Sequence, residues 1–299
     1  MTVFLASFRT EIKSSLRDRN PQIIILIFLI LTSVSTLIGW LTVRNVSKIF
    51  FDIKSLGLTK SPNPFIGIPT LYYVRNSVIY LILVGSLMAL ILGVQSSLRD
   101  RQSETSVLIK SRNVSLRTRY LGQITALSTI LLWTELFVLV TTYLSLWLIR
   151  SKPMEFNQLL RLLSFILISW LLLCSLAATG MIFGALATSE ENAFLNPFIC
   201  WSIVIFIVPL VVTGVRPIAL LNPTPALSQS SGIPDLIHNL LNPVMIMEHF
   251  KAISNQILGV DPTQSMTVMD LLYFGFPIAM ALIAPLLFAR KSLGMKLDA

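Results

Sequence analysis

Few residues of this chain have side chains suited to chemistry, and they lie far apart. Glu135 is the sharpest of them, because it interrupts a long apolar run at Leu132-Trp133-Thr134-Glu135-Leu136. A carboxylate inside hydrocarbon is costly and normally faces a helix bundle's interior or a wet cavity. It could carry a proton or contact a substrate, and it could equally form an interhelical hydrogen bond to a Ser or Thr. A second group gathers further on, with Met245, Met247, His249, Met266 and Met269. Thioether and imidazole are copper ligands. Three of these residues alternate by two, however, and on a helix that spreads them around the wheel. Apolar packing is therefore the default for this group, and Met245, Met247 and His249 are the weak metal candidates.

Recognisable catalytic motifs are absent. The chain has two histidines, His238 and His249. It has no GxxxxGK[ST] phosphate loop, no HExxH and no GxSxG. The chain therefore does not bind ATP through such a phosphate loop. Glu190-Glu191 could suggest an intramembrane metal-dependent protease, but those need an Arg four positions after the second Glu, where this chain has Leu195. Two solvated acids in a tight turn are the simpler expectation. Cys174 and Cys200 each lie inside an apolar run with no CxxC spacing, so no disulfide framework is expected.

The polar stretch Arg99–Arg119 has a different character. It holds six cations (Arg99, Arg101, Lys110, Arg112, Arg117 and Arg119), the acids Asp100 and Glu104, and the apolar patch Val107-Leu108-Ile109. A plain reversal of direction needs neither that length nor that patch. The composition predicts a docking element for a cytoplasmic partner.

Composition fixes the medium in which these residues work. Of 299 residues, 54% are hydrophobic and 12% charged, against about 25% charged in a typical soluble domain. Mean hydropathy is +0.77. The expectation is one all-α integral membrane domain over residues 1–299. A net charge of +9 could point to nucleic acid. The cations cluster beside apolar runs, though, where lipid phosphates and the positive-inside rule account for them.

Six runs reach the roughly 20 apolar residues that a spanning helix needs. They are Gln22–Val43, Val74–Val94, Leu121–Ile149, Leu159–Ala187, Ala193–Val215 and Val268–Ala289. With both termini inside, 13 Lys/Arg fall on the inner side and 10 on the longer outer segments. This orientation is the expected one. Residues 1–20 should form an interfacial helix, since Leu5, Phe8, Ile12 and Leu16 recur on one face and Arg9, Lys13 and Arg17 lie elsewhere. Such a helix could be a lever joining a moving partner to the first span, or a simple anchor. The first outer loop, Arg44 to Tyr73, contains Pro62, Pro64 and Pro69 and cannot be one continuous helix. The outer segment 216–267 holds six prolines, and Asn222-Pro223 and Asn242-Pro243 look like helix starts. Short helices at or dipping into the outer leaflet are expected there.

This layout resembles the permease subunits of type-2, exporter-like ABC transporters over nearly the whole chain. The most telling stretch runs from Arg101 to Arg117, where Glu104, Thr105, Leu108, Ser111 and Arg117 fit the family's inner loop. Asn113 stands near where Pro is common, and the usual Gly after the acid is missing. Glu11 to Arg19 resembles the family's entry helix. Leu241-Asn242-Pro243-Val244 with Phe250 resembles an outer motif of the branch that matures multicopper enzymes and nitrous-oxide reductase. The resemblance implies a twelve-span homodimer above two ATPase subunits. It makes 99–119 the coupling loop, with Glu104, Thr105, Leu108 and Arg112 as its contacts. A proton-coupled secondary transporter using Glu135 and a membrane anchor for an enzyme-maturation complex are the competing expectations.

Overall fold

The computed structural model describes residues 2–59, 61–63, 68–102, 116–150, 153–213, 221–225, 240–260 and 267–288. Every regular element among them is helical. In chain order these are α1 (Thr2–Arg17), α2 (Arg19–Ser55), a 3-10 turn (Thr70–Val74), α3 (Arg75–Tyr80), a π turn (Leu81–Gly85) and α4 (Ser86–Gln102). Then come α5 (Leu116–Arg150), α6 (Phe156–Leu186), α7 (Glu190–Ser202), a second π turn (Ile203–Ile207) and α8 (Val208–Thr213). A 3-10 turn (Asn242–Val244), α9 (Ile246–Leu258) and α10 (Val268–Phe288) follow.

Five continuous helical stretches are long and apolar enough to cross a membrane: Arg19–Ser55, Thr70–Arg99, Arg117–Ile149, Phe156–Leu186 and Glu190–Val212. A shorter apolar helix runs over Val268–Ala284. The chain is thus an all-helical protein of multi-pass membrane character. The first stretch differs from its expected bounds, since α2 continues for 37 residues, well into the presumed outer loop. No Gly or Pro lies between Trp40 and Leu56 to stop it. It ends at Leu56 and Gly57, whose φ of 73° is left-handed, ahead of the prolines. At 1.5 Å per residue a helix of this length outruns a ~30 Å hydrocarbon layer. Trp40 stacks under the Arg44 guanidinium, 5.3 Å from the ring centre, which is chemistry typical of a membrane surface.

Helices α4 and α6 form the centre of the bundle, and small residues let them meet. A Cβ on Gly180 would lie 2.1 Å from the Leu90 carbonyl oxygen, and one on Gly93 would lie 2.0 Å from that of Ala177. Backbone-to-backbone approach of this kind is how helices associate without a hydrophobic drive between them. Around this pair, polar side chains bridge helices. Ser33 donates to Thr141 at 3.0 Å, Trp170 Nε1 to the Ser128 carbonyl at 2.9 Å, and Trp201 Nε1 to Ser86 Oγ at 2.7 Å. The last bond joins the two helices that carry π turns. The second π turn is followed in α8 by Pro209, which has no N–H to donate.

Candidate functional site

The C-terminal end of α4 carries the most concentrated ionic arrangement among the described residues. Arg99 Nη1 donates to Asp18 Oδ2 at 2.6 Å, and its Nη2 donates to Glu11 and to Ser15 Oγ, the latter at 3.0 Å. Ser15 in turn donates to Glu11 at 3.2 Å. Glu11 and Ser15 are buried, one helical turn apart on α1, and Asp18 is the residue at which α1 passes into α2. These contacts define a polar, protein-facing side of the N-terminal helix beside its apolar stripe. The face against protein is Phe4, Phe8, Glu11 and Ser15, while Leu5 and Leu16 point outward together with Arg9, Lys13 and Arg17. Arg99 needs acceptors, and α1 and its joint with α2 supply them. Periodicity cannot reveal a partner 88 residues away.

The expected docking loop is shorter than 99–119, since Arg99–Gln102 belong to α4 and residues 116–119 to α5. Glu104, Thr105, Leu108 and Arg112 lie outside the described residues.

Glu135 sits on the inward face of α5 and is fully buried. Neither carboxyl oxygen has a hydrogen-bond partner among the described residues. The Ser or Thr bond that would make this side chain purely structural is therefore missing. Two turns back on the same helix, Ser128 accepts a bond from Cys174 of α6 at 3.3 Å. An unpaired buried charge would be expensive.

The described parts of the 216–267 segment form short pieces. Asn242-Pro243 opens a single 3-10 turn, and the α-helix starts at Ile246. At Asn222-Pro223 the described residues form a turn, with the Thr224 N–H donating to Asn222 Oδ1 at 3.2 Å. Helix α9 does not lie on a surface. Met247, Glu248, His249, Phe250, Lys251, Ile253, Ser254, Asn255 and Leu258 are all buried. Phe250 packs between Phe165 of α6 and Phe274 of α10, with ring centres 6.4 and 5.8 Å apart. Lys251 donates to Glu248 at 2.6 Å, and both side chains are 2% exposed. This pair escaped the sequence reading, although opposite charges at i,i+3 inside an apolar segment were a signal. The pair borders a small cleft between α9 and the two π turns.

His249 is spent on structure. Its Nδ1 lies 3.0 Å from Asp270 Oδ1 and its Nε2 lies 3.0 Å from the Asn242 carbonyl. Both partners are acceptors, so each ring nitrogen is already engaged within the protein. Met245 and Met247 are buried, while Met269 faces outward. Among the described residues no group of three or more His, Cys, Asp or Glu is placed to hold a metal ion. Glu190 and Glu191 occupy the exposed first turn of α7, capped by Ser189, whose Oγ accepts the Asn192 N–H at 3.2 Å.

No protein-family model matches the chain, and no curated protein is detectably similar to it.

Proposed function

We propose that this chain is the membrane-spanning subunit of an ATP-driven exporter of the ABC type, coupling hydrolysis on a separate ATPase to translocation of a substrate. In this reading α10 is a sixth span and both termini face the cytoplasm. The membrane is the bacterial inner membrane. Two copies form the transport core above two ATPase subunits that hold ATP and Mg. Glu104, Thr105, Leu108 and Arg112 contact the ATPase, and nucleotide acts by favouring one arrangement of the assembly over another. The supporting observation is the basic segment between two long apolar helices, whose first residue, Arg99, is ion-paired to the N-terminal helix. Glu104→Lys tests the reading by placing a cation where the partner expects an acid. ATPase captured with the chain should fall about tenfold, while the chain itself extracts normally. Unchanged capture would remove the docking assignment.

A second reading, proton-coupled transport, is favoured by Glu135, whose two buried oxygens have no partner among the described residues. In that case Glu135→Gln abolishes transport driven by a pH gradient, and no ATPase accompanies the chain.

A further inference from the structure

Helix α2 outlasts its own bundle. Beyond the Trp40–Arg44 pair it runs on to Ser55, about 16 Å further at 1.5 Å per residue. From Arg44 to Leu58 every residue except Ser47 and Phe50 is exposed. This overhang is amphipathic. Val46, Ile49, Ile53 and Leu56 follow one another at spacings of three, four and three, and Val43 and Phe50 flank them. Arg44, Lys48 and Lys54 lie on the other side of the helix, with Phe51 the one apolar residue among them. Asn63 Nδ2 also reaches Ser47 Oγ from that other side, at 2.9 Å. The four residues of the apolar row are all exposed, so the chain leaves its own row uncovered.

Three features make a second copy of this chain the fitting cover. The spacing is that of a seam between paired helices, narrower than the broad stripe that a bundle buries. β-branched Val46 and Ile53 fill the first seam position and Leu56 follows Ile49 at the second, and β-branched residues at the first with Leu at the second favour two parallel strands. Two copies inserted in one membrane in the same sense present α2 in parallel, so the membrane supplies the orientation that these residues prefer. The three cations stay off the seam, and like charges do not meet across it. Two heptads suffice, because the overhang continues a helix already nucleated and held by the span beneath.

We propose that residues 43–56 of α2 form a parallel helix pair with the same residues of a second copy, beyond the apolar span. This pairing rests on the two-copy reading above and names the surface through which the copies join, and it needs neither the ATPase nor the 99–119 segment.

The test uses the full chain in the membranes of cells that make it, with Cys174→Ser and Cys200→Ser removing the native thiols. Oxidation joins Ile49→Cys or Ile53→Cys chains into disulfide-linked dimers about fivefold more efficiently than Arg44→Cys or Lys48→Cys chains. Equal yields at the four positions, or none at the two seam positions, overturn the pairing. A water-soluble maleimide identifies what replaces it. Seam cysteines that stay unlinked and react as fast as Lys48→Cys mean a bare row, and seam cysteines that stay unlinked but react slowly mean lipid headgroups or a different protein. Both outcomes contradict a second copy. If the cysteine-substituted background does not reach the membrane, a photoreactive benzophenone side chain in place of Ile49, compared with one in place of Lys48, decides the matter in the otherwise natural chain by the same two yields. Seam cross-linking in a chain that captures no ATPase supports the pair and removes only the ATPase reading. A stoichiometric ATPase with no seam cross-link leaves that reading standing and overturns the pair.

Discussion

At the scale of single residues, the interior of this protein handles charge in three ways. Arg99 and its acceptors form an ionic cluster at one end of α4. Glu248 and Lys251 make a buried pair, and removing one member of such a pair is costlier than removing both. Lys251→Met should therefore destabilise the chain more than Glu248→Leu combined with Lys251→Met, by roughly 1–3 kcal/mol in denaturant titrations of the purified protein. Equal losses would mean that the pair carries no coupling. Glu135 is the exception, since its buried oxygens have no partner among the described residues. A residue retained for stability would not be left that way. Glu135→Leu is expected to unfold at the same temperature as the parent or higher, and to lose transport. A lower unfolding temperature would give Glu135 a structural role after all.

Helices in this fold are positioned by what is missing as much as by what is present. The α4–α6 contact depends on Gly93 and Gly180, where a methyl would collide with backbone that cannot move aside. Gly180→Ala should cost roughly 1–3 kcal/mol of overpacking, whereas Gly275→Ala, with nothing within 4 Å, should be neutral or slightly stabilising. Thermal unfolding of the two variants side by side checks this, and equal stabilities would remove the small-residue seam from the account. Much of the helix inventory could be read from the chain, because spans are written in hydropathy and hydropathy needs no partner. The five long helices overlap the expected runs. Where readings slipped, information lay outside the local window. α2 overran its expected end because apolar content fell while no breaker intervened before Gly57. α1 has a Glu11–Ser15 side against protein beside its apolar stripe, and its partner Arg99 lies across the fold. α9 looks interfacial with its Glu, His and Lys, and it is buried because each of those groups finds a partner, one of them Asp270, 21 residues on. Glu135 was conspicuous as an acid in an apolar run, but its lack of a partner emerged only from the packing.

Taken as a molecule, the protein has a well-packed centre in α4 and α6 and a periphery, α2 with α7 and α8, whose apolar side chains face outward. That distribution is what a bilayer solvates, and the chain needs no soluble core to account for it. Nothing among the described residues offers a phosphate-binding loop or a metal-holding cluster. In the reading proposed above, energy for transport arrives through a partner at the basic 99–119 segment, and in the competing one through a gradient at Glu135. One measurement separates them: purification of the chain from its native membrane in mild detergent, with and without prior crosslinking, and mass spectrometry of what accompanies it. The account predicts a stoichiometric ABC ATPase, one copy per copy of this chain. If no ATPase appears even after crosslinking, the central claim is contradicted, and proton-driven transport through Glu135 takes its place.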